Sequence, residues 1–122
     1  MKEHGIYRIE ESGDIIHVYP VGGFNEYGIK SLHQEIRSIA PKDRAWVLIE
    51  HPKDEAGLTP EAAKELCKNY CLLSKYGCKA VGLEISRIWA FSIQKTLKDQ
   101  VDIPVYFSES SEEVEKFVVQ HL

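Results

Sequence analysis

The feature that most constrains this chain is a continuous apolar run, Ala45-Trp46-Val47-Leu48-Ile49, with no polar residue inside it. A strand with one wet face alternates, whereas a short unbroken run fits a strand covered on both faces, as in a parallel sheet. Parallel neighbours cannot be joined by a tight turn, so the flanking sequence must supply crossover helices. It does so on both sides. Before the run, Asn25 is a candidate N-cap, Ile29, Leu32, Ile36 and Ile39 recur at helical spacing, and Pro41 forbids continuation. After it, Thr59-Pro60-Glu61 combines a hydroxyl cap, a proline whose missing N–H costs nothing there, and a first-turn acid. An apolar stripe of Ala62, Ala63, Leu66, Cys67, Tyr70, Cys71 and Leu73 follows, and Gly77 supplies a left-handed stop.

The remaining elements extend this plan. Two β-rich runs, Ile6 to Ile9 and Ile15 to Tyr19, are separated by the turn formers Glu11-Ser12-Gly13-Asp14 and read as a hairpin. Lys79 to Ile85 reads as a fourth strand, Ser86 as a cap, and Arg87 to about Lys98 as a third helix with Trp89, Ile93 and Leu97 on its core side. A fifth strand, Ile103 to Phe107, contains Pro104 and suits a sheet edge. The capping box of Ser110 and Glu113 starts a last helix with Val114, Phe117, Val118 and His121 on its core stripe. The expected fold is α/β: an N-terminal hairpin, then alternating βα units, giving a mostly parallel five-stranded sheet with four helices. At 122 residues, this is one domain spanning 1–122.

Charge and cysteines narrow the function classes. A net charge of -4, from 19 acidic and 15 basic residues, argues against a general nucleic-acid binder, which needs many phosphate-neutralising contacts. Cys67, Cys71 and Cys78 are an odd set with a spacing unlike the common zinc patterns, so they read as core thiols in a reducing compartment. Met1 to Gly5 leads into the first strand without an apolar leader, and no segment approaches a membrane span; a cytoplasmic location is expected.

Two stretches carry a family likeness. Gly23-Phe24-Asn25 lies between the second strand and the first helix, and Pro104-Val105-Tyr106-Phe107 is followed by Ser110-Ser111-Glu112-Glu113-Val114. With the element order, these make the chain resemble the SpoIIAA-like branch of the STAS domains, the family of the sporulation anti-sigma-factor antagonist. The resemblance implies a compact bacterial regulatory or ligand-binding domain, with a distant similarity to the lipid-carrying SEC14 domains. Phosphorylatable antagonists carry Asp-Ser-Ser-Gly at the start of the second helix; here Gly57-Leu58-Thr59-Pro60-Glu61 stands there. Thr59 is thus the candidate phosphoacceptor, with a plain N-cap as its other reading.

Chemical motifs are sparse. The sequence holds no G-x-S-x-G, P-loop, H-E-x-x-H or G-x-G-x-x-G word, and no catalytic, cofactor or metal residue is assigned. A candidate ligand loop comprises Phe24 with His51, Lys53, Asp54 and Glu55, because open parallel sheets bind ligands beyond their strand C-termini. Its histidine and carboxylates could do acid–base work or be solvated charge. His17 reads as a hydrogen-bonded, half-buried strand residue. On the third helix, Arg87, Phe91, Lys95 and Lys98, with Ile88 beside them, share the face away from the core. That face is a candidate for docking on an anionic membrane or gating a ligand, and packing or a homodimer contact would use Phe91 equally well. The expected function is a non-enzymatic module for a small apolar or amphipathic ligand, a membrane surface, or both. The alternative is a protein–protein switch with a regulatory protein as partner, and the third reading is an enzyme using His51 and its neighbours.

Overall fold

The computed structural model describes residues 5–52, 59–87, 90, 94, 97 and 100–122. Five strands form one sheet in the order β1-β2-β3-β4-β5: β1 Ile6–Ser12, β2 Ile15–Val21, β3 Trp46–Glu50, β4 Cys78–Glu84 and β5 Val105–Ser108. β1 and β2 form the expected hairpin and pair antiparallel, while β2–β3, β3–β4 and β4–β5 are parallel. The hairpin makes the sheet mixed, which corrects the mostly parallel sheet of the sequence reading. Four helices were expected, and three are delimited among the described residues: α1 Glu26–Ile39, α2 Pro60–Ser74 and α3 Ser111–Val119. The third expected helix, Trp89 and Ile93 included, lies largely outside the described residues, although Arg87, Ala90, Gln94 and Leu97 are helical.

The helix ends follow their local chemistry. Asn25 accepts a hydrogen bond from the Gly28 amide, Thr59 from Ala62 and Ser110 from Glu113, so each helix has one of its orphan N–H groups satisfied. Beyond α2, Gly77 sits at φ +98°, a left-handed conformation that side-chain-bearing residues avoid.

A sheet that grows in one direction through right-handed crossovers collects its connecting helices on one face. Accordingly, Leu32 and Ile36 of α1 and Leu66, Tyr70 and Leu73 of α2 share one core with Ile16, Val18, Trp46 and Leu48, and Leu97 joins it. Cys67 and Cys78 are buried in this core as the sequence suggested, whereas Cys71 is only half-buried. Trp46 is fully buried, and its indole N–H donates to the Tyr76 carbonyl at 2.8 Å.

The other face is covered by α3, which packs Val114 and Val118 on Ile15, Val47, Ile49 and Ala80. Its approach depends on Gly82, where an added Cβ would lie 2.3 Å from Val114 Cγ1. α3 lies mainly over β3, β4 and β5 and reaches β2 at Ile15. No helix among the described residues is long and apolar enough to cross a membrane.

Candidate functional site

Alternation along β2 places His17 and Tyr19 on the α3 side of the sheet, beside the strand ends where β3 gives way to His51 and β4 finishes at Glu84. These side chains converge. His17 Nδ1 lies 2.8 Å from His51 Nε2, and His51 Nδ1 lies 2.8 Å from Glu84 Oε2. An ionised carboxylate only accepts, so His51 donates from Nδ1 to Glu84. In the neutral pair, His51 Nε2 then accepts from His17 Nδ1–H, leaving the His17 Nε2 lone pair at the end of the chain. Tyr19 stacks on His51 with centroids 4.6 Å apart, and the Arg8 guanidinium lies 4.3 Å from the Tyr19 centroid. Burial lowers the His17 pKa from its ordinary value and His51 lowers it further, against the opposing pull of Glu115 and Glu10. The array can hold and relay a proton, since imidazole takes up and releases protons and the carboxylate orients the rings.

A second polar group lies in the core on the opposite face. Glu50, at the end of β3, is buried and accepts a hydrogen bond from the Tyr70 hydroxyl of α2. Burial pushes its carboxyl pKa up from 4.5 to about 7. His33 of α1 is also buried, tilted against Tyr70 at 5.7 Å, and neither ring nitrogen has a hydrogen-bond partner among the described residues. Burial, reinforced by Arg37, lowers its pKa to about 3, so it stays neutral.

Along β5, two clefts adjoin, sharing Ala90, Tyr106 and Phe107. The first, of about 490 Å³, is walled by Leu97, Val101, Ile103 and Val105, with Gln94 at its side. The second, of about 360 Å³, is polar at its far end, where Arg87, Ser108, Glu109, Ser110 and Glu113 meet. The Arg87 amide donates to Glu109 Oε1 at 3.1 Å, tying the helical segment to the loop before α3. A third groove, of about 430 Å³, gathers Arg37, Lys42, Arg44, Lys75 and Lys79 at the C-terminal ends of α1 and α2, where cations complement the helix dipoles.

The sequence-derived candidates are thus distributed unevenly. His51 belongs to the polar array, and His17 is the hydrogen-bonded, half-buried residue expected. Phe24, expected in a ligand loop, is instead a core side chain packed over Gly5, because the turn after β2 folds its ring under the hairpin. Lys53, Asp54 and Glu55 lie outside the described residues, as do Ile88, Phe91, Lys95 and Lys98. Arg87 is exposed at the polar cleft, and Thr59 is an exposed N-cap. Sequence reasoning missed Glu84 and Glu50, whose signal was a charged residue ending an apolar strand run. It also missed the cleft walls Val101, Ile103 and Val105, which carry no chemical signature.

No family model matches the sequence, and no curated protein is detectably similar to it. Among solved structures, the chain is similar to an uncharacterized protein of the DUF3478 family with a SpoIIAA-like fold from Shewanella loihica PV-4. The two share 16% identity over 97% of this chain and 96% of that one, with a TM-score of 0.65. At that identity the likeness speaks for architecture: this chain has a SpoIIAA-like α/β fold, as its hairpin, element order and capped last helix had suggested.

Proposed function

We propose that the protein is a non-enzymatic binding module for a small amphipathic ligand held along β5. The observation that carries this reading is the pair of adjoining clefts, the first walled largely by apolar side chains and the second polar at its far end, which share Ala90, Tyr106 and Phe107. Ligand sites combine mostly apolar walls with a few placed polar groups, in volumes of roughly 300 to 1,000 Å³. The ligand's apolar part would lie against Leu97, Val101, Ile103 and Val105, and its polar end would reach Arg87 and the Ser108 to Glu113 corner. Loading from an anionic bilayer would bring this Arg87-bearing lip to the headgroups.

The test is displacement of a fluorescent fatty-acid analogue from wild type and from Val101→Trp, which fills the apolar cleft. Binding should weaken about tenfold or more with little change in melting temperature, since one tenfold step is only about 1.4 kcal/mol of contact. Equal binding by both proteins, or none by the wild type, would overturn the reading. The alternative, a protein–protein switch, is favoured by the exposed position of Thr59 at the start of α2, where a phosphate would meet the helix N-terminus. A phosphate mass on Thr59 in protein from its own cells would favour that switch over ligand carriage.

A further inference from the structure

Among the described residues β1 ends the sheet, so one side of its backbone faces away from β2. The Ser12–Ile15 pair flanks the two-residue turn of Gly13 and Asp14, and such a closing pair is hydrogen-bonded. Alternation then turns the backbone of Arg8 and Glu10 toward β2 and that of Ile9 and Glu11 outward. Edges like this invite a further strand unless something blocks them. Here β1 carries neither proline nor a bulge in its register with β2. Arg8 and Glu10, the side chains flanking Ile9 on the α3 side, are 65% and 50% exposed and lie 3.3 Å apart.

We infer that the outer edge of β1 is a self-association surface, pairing antiparallel with β1 of a second copy about a two-fold axis at Ile9. Charge selects both the partner and the register. Centred on Ile9, the pairing sets Arg8 opposite Glu10 of the second copy and Glu10 opposite its Arg8, closing a ring of four alternating charges. Centred on Arg8, it would oppose two arginines; centred on Glu10 or Glu11, it would oppose two glutamates. Directly opposed cross-strand charges stabilise when unlike and destabilise when alike. A two-fold contact uses one surface twice, so a self-complementary strand is what such a dimer requires. The two sheets would join into one, independently of any ligand along β5.

The experiment is sedimentation velocity over a concentration series on wild type, Arg8→Glu, Glu10→Arg and the double swap. All three variants change exposed side chains, and their thermal melts verify folding. Wild type should dimerise with rising concentration. Each single variant places like charges in opposition and should stay monomeric where the wild type is a dimer. An equimolar mixture of the two single variants should form a heterodimer, since the Arg8→Glu chain then presents two carboxylates to the two guanidinium groups of the Glu10→Arg chain. The double swap should restore the homodimer. A wild type that remains monomeric at its highest soluble concentration would overturn the inference, as would single variants that dimerise like wild type or a mixture that stays monomeric.

Discussion

Replacing Glu50 by Gln should change how stability depends on pH, because the two buried titratable groups beside Tyr70 pull in opposite directions. The Glu50 pKa is raised from 4.5 to about 7 by burial. The folded state therefore holds this proton more tightly than the unfolded one. Its stabilising contribution is complete below pH 4.5 and is lost as pH rises through 7. His33 is the reverse: burial lowers its pKa from 6.5 to about 3, so its contribution is complete above pH 6.5 and is lost as pH falls toward 3. Each pH unit of displacement is worth about 1.4 kcal/mol. The full effects are then on the order of 3 kcal/mol for Glu50 and on the order of 5 kcal/mol for His33. Between pH 4.5 and 6.5 both groups act and their slopes cancel. Gln keeps an oxygen to accept from Tyr70 but cannot ionise, so Glu50→Gln should leave the His33 slope uncovered. Relative to wild type, the variant should gain on the order of 3 kcal/mol between pH 4.5 and pH 8, read by urea unfolding at half-unit pH steps. A wild-type-to-variant difference that stays constant across that range would refute the burial argument for Glu50.

Two further substitutions probe the frame. Thr59→Ala should cost about 1 kcal/mol through the lost cap on Ala62 N, and an unchanged unfolding midpoint would show that α2 does not depend on it. Gly82→Ala should destabilise by about 1 to 3 kcal/mol, because the new methyl meets Val114 and α3 must move off the sheet. An unshifted melting temperature would mean that α3 sits less tightly than its contact with Gly82 indicates.

Local chemistry in the sequence determined the elements. Asn25, Thr59 and Ser110 cap their helices because a side-chain oxygen beside an orphan N–H needs no distant partner. The run through Trp46 and Ile49 is buried on both faces because an unbroken apolar strand has no wet side to offer. What lay beyond the sequence was proximity. His51 lies 34 residues from His17 and 33 from Glu84 in the chain, and only the strand order and parallel register bring each pair within hydrogen-bonding distance. The apolar run ends at Ile49, yet Glu50 continues β3, paired with Val18 and Leu83 and covered by Tyr70. Periodicity reports which face of an element is apolar; which element comes to lie against it is set by the chain's path through space.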